Sequence, residues 1–353
     1  MIKLLPLKTD IETKKILRKT ALAHKALAEL KGIITSIPNE NILIETLALR
    51  EARESSAIEN IISTFAEVYQ SNLFAYQFAS PAAKEVHQYA EALKTGFEFI
   101  KKRGLLTTNL ILKIHKIIEQ NNAGFRKLPG TKLLNDKTGE VVYTPPQDNK
   151  TILNLMQNLE KFINDDDMMD IDPLIKMAII HHQFESIHPF YDGNGRAGRI
   201  INILYLVHKN LLHLPVLYLS RYIIKHKDDY YRLLQQVRKT GQWEEWIVYM
   251  LNGVEQTAQE TIVLISEIKD LMQQYKQTIR TELPKLYSQD LLNNLFKYPY
   301  TKIEFFERDL GISKRTSVRY LEALIQKKIL QKQKIGRDNF YLNKPLFELL
   351  SGN

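Results

Sequence analysis

The chain has 353 residues, 44% of them apolar, and carries 49 lysines and arginines against 40 aspartates and glutamates, a net charge of +9. It contains no cysteine, which excludes disulfides, thiolate metal sites and thiol nucleophiles. No run approaches the roughly 20 apolar residues of a membrane span, and Met1 to Asp10 is too short and too interrupted for a signal peptide, so a cytoplasmic protein of two or three domains with no membrane partner is expected.

In chain order, Asp10 to about Phe78 has a helical pattern. It contains Ser55-Ser56-Ala57-Ile58-Glu59-Asn60, in which Ser55 and Glu59 are i and i+4 neighbours on one helical face. Ala83 to Lys102 and Thr107 to Gln120 read as two further helices. Gly124-Phe125-Arg126 then leads to two short apolar runs, Thr131 to Leu134 and Glu140 to Tyr143. They flank the turn Asn135 to Gly139 and are stopped by Pro145-Pro146, which reads as a β-hairpin. From Lys150 to Asn164, Leu153, Met156, Leu159 and Phe162 recur in steps of three and are expected in the core. Asp165 to Asp167 reads as a solvated loop. Pro173 opens a helix, Leu174 to Glu185, whose His181 and His182 point to different faces and are expected to pack rather than ligate zinc.

That helix delivers His188-Pro189-Phe190-Tyr191-Asp192-Gly193-Asn194-Gly195-Arg196-Ala197-Gly198-Arg199. Gly193 and Gly195 let backbone N–H groups turn toward an anion, and Arg196 opens an apolar helical segment, Ile200 to Val207, whose positive end faces the same anion. Arg199 follows on the face of Arg196. Asp192 offers the hard oxygen that Mg²⁺ takes beside substrate phosphates, and His188 is the side chain suited to a general base near neutrality. Leu211 to Glu255 continues the core, and Thr257 to Arg280 reads as a long connecting helix.

The last sixty residues differ. Lys302 to Phe306, Leu310 to Ser313 and Thr316 to Leu324 read as helix, Gly-containing turn and Ser-capped helix. Ile329 to Lys332 and Asn339 to Leu342 form a wing around Gly336-Arg337-Asp338. Between Leu291 and Asn353 twelve basic residues face six acidic ones, so most of the chain's net charge lies here. Lys314, Arg315 and Arg319 on the second helix, with Lys334 and Arg337 on the wing, suit phosphate contacts along a duplex. Docking a protein or a second copy is the other use open to such a module.

The run 188–199 resembles the signature of Fic-domain proteins, His-x-Phe-x-Asp/Glu-Gly-Asn-Gly-Arg-x-x-Arg, at every defined position. The resemblance implies transfer of AMP from ATP to a Ser, Thr or Tyr hydroxyl of a target protein. His188 would be the base, Asp192 the Mg²⁺ ligand and Phe190 a buried loop anchor. Gly193, Asn194, Gly195 and Arg196 would bind the α- and β-phosphates, and Arg199 the γ-phosphate. Doc kinases, a branch of the family that transfers a phosphoryl group, carry lysine where this chain has Gly195 and lack the second arginine. Ser55, Glu59 and Asn60 match the family's inhibitory pattern, Ser/Thr-x-x-x-Glu-Gly/Asn, in which the glutamate engages the arginine at 199. The hairpin near 131–146 corresponds to the flap that docks a target's extended segment.

The expected fold is mainly α: a Fic-type helical core with a small β-hairpin flap, as the resemblance implies, plus a C-terminal segment that itself resembles winged helix-turn-helix domains. The divisions are 1–82 with the inhibitory motif, 83–255 as catalytic core, 256–288 as connecting helix and 289–353 as winged helix. Two other functions stay open, AMP removal with Glu59 activating a water, and a DNA-binding regulator whose core senses a nucleotide. Self-modification and a homodimer also stay open.

Overall fold

The computed structural model describes residues 2–71, 80–135, 138–335 and 338–352. It is mainly helical, with a two-stranded and a three-stranded antiparallel sheet among the described residues. The N-terminal part comprises α1 (Lys14–Ile34), α2 (Glu40–Ile58) and α3 (Phe65–Ser71); the expected continuation toward Phe78 lies outside the described residues. The core follows as α4 (Pro81–Arg103), α5 (Thr108–Glu119), β1 (Leu133–Leu134), β2 (Val141–Tyr143), α6 (Asn149–Asn164), α7 (Pro173–Ile187), α8 (Asn194–His208), α9 (Leu219–Lys225), α10 (Lys227–Thr240) and α11 (Glu244–Glu282). Helix starts obey the capping rules: Ser80 and Asp172 accept from first-turn N–H groups, each followed by a proline at the first helical position.

α7 is the central element, with Leu174 to Ile187 buried throughout. Burial on all sides requires its polar side chains to be partnered. His181 shares a 2.8 Å hydrogen bond with the Tyr230 hydroxyl and stacks on Trp246, and His182 donates to the Leu234 carbonyl at 3.2 Å. Both act in packing, as expected.

Two expectations need correction. Leu153 is 42% exposed, while α6 buries Ile152, Leu155, Met156, Leu159, Phe162 and Ile163. A stripe in steps of three drifts around a helix of 3.6 residues per turn, so its first member leaves the core. The aspartate run is a short 3-10 turn, Asp166–Met168, and Asp166 is not merely solvated: it pairs with the buried Lys176 at 2.8 Å and with Lys209 at 2.7 Å. α11 runs unbroken through 255 and 256, its apolar face packing first along α1 and then on the C-terminal segment.

The C-terminal segment has α12 (Gln289–Lys297), β3 (Tyr300–Thr301), α13 (Ile303–Leu310), α14 (Lys314–Gln326), β4 (Gln331–Ile335), β5 (Asp338–Leu342) and α15 (Lys344–Ser351), with sheet order β3-β5-β4. Buried Asn343 ties it together, donating to Leu295 O at 3.0 Å and accepting from the Tyr275 hydroxyl at 2.9 Å. α12 and α15 lie against α2, where the Tyr298 hydroxyl donates to Glu45 at 2.9 Å.

Candidate active site

The last turn of α7, the loop that follows and the first turn of α8 bring the residues 188–199 together. His188 ends α7 in the left-handed region (φ 48°), which turns the chain into the loop. Phe190 is fully buried and stacks face to face on His115 of α5, with ring centroids 3.6 Å apart, as an anchor would. His115 also donates to Asp192 O at 3.0 Å. Gly193 adopts φ 72° and begins α8 with no side-chain cap, which leaves first-turn N–H groups directed outward. The helix starts at Asn194, ahead of the expected apolar segment.

Asn194 corrects one expectation. Its side chain closes the loop instead of facing a ligand: Oδ1 accepts from Phe190 N and Nδ2 donates to Phe190 O, both at 2.9 Å. A buried amide needs both partners, and the loop supplies them.

Asp192 is exposed and accepts from Gly193 N at 2.7 Å through Oδ1. Among the described residues no three His or carboxylate side chains gather as a metal cluster. One carboxylate with room for phosphate oxygens and water is a donor set that suits Mg²⁺.

Both arginines are engaged. Buried Arg199 donates from Nε to Ser55 Oγ at 2.7 Å, and from Nη2 to Ser55 O at 3.0 Å and to Glu59 Oε1 at 2.8 Å. Burial would weaken its hold on the proton, but Glu59, Tyr230 and Tyr89 outweigh that and raise its pKa. Glu59 is the C-cap of α2, and Asn60 follows at φ 63°, a conformation that Gly and Asn tolerate best. A Cβ at Gly195 would collide with Glu59 Oε1. Arg196 donates to Glu85 Oε2 and to Glu119 Oε1, each at 2.7 Å, and a Cβ at Gly193 would collide with Glu119.

Three other groups shape the His188 end. Buried Arg126 donates to His188 O and to Pro146 O, each at 2.8 Å, stapling the hairpin base to the loop. Arg238 donates to Glu185 O at 2.9 Å and to Ser186 Oγ at 3.0 Å, and its guanidinium lies 3.9 Å from the Tyr143 ring centroid. Burial, then Arg126 and Arg238, pull the His188 pKa down to about 3, so the imidazole is neutral at pH 7. Burial pushes Glu185 up to about 7 against the pull of Arg199. Sequence reading did not find Glu85, Glu119, Glu185 or Arg238 as site residues, since each meets its partner by packing and none belongs to a short motif.

Leu134, Val141 and Val142 of the hairpin are exposed, although Asp136 and Lys137 of its turn lie outside the described residues. Lys314, Arg315 and Arg319 are exposed on α14 and Lys334 on β4; Arg337 lies outside the described residues. No described helix is long and apolar enough to cross a membrane.

Comparison with known proteins finds similar sequences and folds. Residues 17–98 match the profile described as Fic/DOC family N-terminal, 105–206 that of the Fic/DOC family, and 271–346 that of the protein adenylyltransferase SoFic-like C-terminal domain. A probable protein adenylyltransferase of Aquifex aeolicus is 31% identical over 143 residues, 40% of this chain and 41% of that protein. Protein adenylyltransferase fic-1 of Caenorhabditis elegans is 26% identical over 111 residues, 31% of this chain and 20% of that protein. The chain thus spans from about a fifth to two fifths of these relatives' length. In fold it resembles a Fic family protein from Desulfovibrio desulfuricans, with TM-score 0.61 and 18% identity over 96% of this chain and 98% of that one. It also resembles a Caenorhabditis elegans Fic-1 fragment, with TM-score 0.54 and 18% identity over 71% and 73%.

Proposed function

This chain belongs to the Fic/DOC family, and we propose that it is a protein adenylyltransferase that moves AMP from ATP to a target hydroxyl and is held at rest by Glu59. In the reaction the target oxygen bonds to the α-phosphorus, the bond from that phosphorus to the β-bridging oxygen breaks, and pyrophosphate leaves. His188 takes the hydroxyl proton, for which its neutral ring is ready. Uncapped N–H groups at the start of α8 receive the phosphates, Arg196, held by Glu85 and Glu119, supports them with its charge, and Asp192 would hold Mg²⁺. The metal would neutralise charge on the phosphates. Most of the protein's work is orientation, because phosphoryl-type transfer asks for little covalent chemistry.

The observation that carries the resting state is the set of three hydrogen bonds from Arg199 to Ser55 and Glu59. With Glu59 against its head and three of its five donors committed, Arg199 is not open to a γ-phosphate, and a misoriented triphosphate does not present its α-phosphorus in line. The target would pair with the exposed hairpin as an added strand, with Leu134, Val141 and Val142 meeting its side chains.

Label transfer from ATP carrying isotope on the α- or the γ-phosphate tests this, with Mg²⁺ and the native chain, Glu59→Gly, and Glu59→Gly with His188→Ala. α-Label on protein, strongest in the single variant and absent in the double, is the expected result. Label from the γ-phosphate alone would mean phosphoryl transfer. AMP removal from a modified protein that vanishes with Glu59→Gly would make the site a hydrolase.

A second role is supported by the C-terminal segment, read as a winged helix. Lys314, Arg315, Arg319 and Lys334 are exposed and form no ion pair among the described residues, which leaves their charge free for duplex phosphates. Retention of mixed duplex DNA at low salt tests it.

A further inference from the structure

A cleft of about 260 Å³ lies where α2, α9, α11 and α15 meet, remote in sequence from the signature loop, and is lined by Arg50, Tyr218, Arg221, Leu264, Leu349 and Gly352. Arg50 is only 6% exposed. Its Nε is buried without a hydrogen-bond partner, and the guanidinium makes no ion pair within the described residues. Its contact is with the Tyr218 ring, 5.8 Å from the centroid. A guanidinium has five donors, and burying it unpaired costs several kcal/mol.

Arg221 approaches the same point. A Cβ on Gly352 would lie 3.2 Å from Arg50 Nη2 and 3.7 Å from Arg221 Nη1, so both guanidiniums converge beside the end of α15. The acids nearby do not balance them. Glu260 is divided between Arg221, at 2.8 Å, and Lys225, at 2.8 Å. Glu54 stands 3.7 Å from Arg221 with Oε2 unpartnered, and burial raises its pKa against the pull of Arg50 and Arg221. Glu267 is on the exposed lip of the cleft.

We propose that this cleft binds a small organic oxyanion, a phosphate monoester or a carboxylate on an apolar body, with Arg50 and Arg221 as donors and Tyr218, Leu264 and Leu349 against the body. Planar guanidiniums match both head groups in bidentate fashion. Pockets between domains with apolar walls and few polar groups are the common form of ligand site. The site does not depend on the transfer reaction. It does touch the helix that restrains Arg199, since Arg50 precedes Ser55 by five residues, about 7.5 Å of helix rise.

Calorimetric titration of the full chain with phenyl phosphate and with benzoate, at fixed ionic strength, tests the site in wild type, Arg221→Gln and Arg50→Met. Active-site arginines also attract these probes, so the reading is the difference between proteins. Wild type is expected to bind one of the two probes about tenfold more tightly than either variant, each retaining the wild-type circular dichroism. The head group preferred by wild type and lost in the variants identifies the ligand class. Equal affinity in all three proteins, or no binding by wild type, overturns the proposal. If Arg50→Met does not fold, Arg221→Gln, at a side chain 27% exposed, decides alone.

Discussion

Arg199 and Glu59 meet at 2.8 Å, one side chain buried and the other 34% exposed, across 140 residues of sequence. The contact is asymmetric. Arg199 is fixed from behind by Ser55, whereas Glu59 hangs from the end of α2, where left-handed Asn60 stops the helix. Displacing Glu59 would therefore leave the helix that carries it intact.

Ser55→Ala removes the Oγ acceptor but leaves the Ser55 carbonyl and Glu59 in place. AMP transfer is expected to rise above wild type yet stay below Glu59→Gly, in a ranking read by α-label incorporation. Stability should fall by about 1–3 kcal/mol, because a buried guanidinium N–H loses its partner. Equal activity of Ser55→Ala and wild type would confine the restraint to Glu59.

Leu134→Glu places a charge on an already exposed hairpin position. Unfolding free energy should stay within about 0.5 kcal/mol of wild type. Labelling of target protein is expected to drop severalfold while ATP binding, followed by calorimetry, is unchanged. A parallel loss of ATP binding would show that the hairpin serves the nucleotide instead of the target.

Stability should decline as pH rises from 6 to 8.5. Burial raises Glu51 to about 8, with the Ser220 and Arg199 interactions opposing, and Glu185 to about 7. Both keep a proton in the fold that the unfolded chain releases near 4.5, so folding is penalised as pH climbs from there to about 7 for Glu185 and about 8 for Glu51. His24, raised by its hydrogen bond to Asp172, acts in the same direction, since its stabilisation is present below the unfolded value of 6.5 and lost above the folded one. Each buried carboxyl contributes on the order of 1 kcal/mol per pH unit. Thermal unfolding of Glu51→Gln should show a flatter alkaline decline than wild type. The acid side has the reverse cause: burial holds His181 and His182 near 3, so they resist protons that the unfolded chain accepts below 6.5, and stability falls as pH drops toward 3.

Arg315→Ala and Arg319→Ala should each weaken retention of duplex DNA and reduce the slope of log affinity against log salt by about one. Fluorescence anisotropy at several salt concentrations reads both. Unchanged slopes would assign α14 to a protein partner.

Sequence alone determined the features whose geometry is set within a turn or two of chain. The glycine turn, Ser55 and Glu59 on one face, and the order of helices around the hairpin were legible because dihedral preference and helical period act locally, whereas the Phe190 anchor followed only from the resemblance to the Fic signature. Tertiary structure decided which charges meet. Glu85 and Glu119 reach Arg196 from α4 and α5, Arg126 ties the hairpin to His188, and the Arg50 Nε lacks a hydrogen-bond partner among the described residues. Asn194 turned inward to satisfy a buried loop, and Leu153 turned outward as its stripe drifted. A lone acid on an amphipathic helix looks the same whether it faces water or a guanidinium. Which it faces depends on how the helices pack, and packing joins residues tens to hundreds of positions apart, beyond the reach of any local pattern.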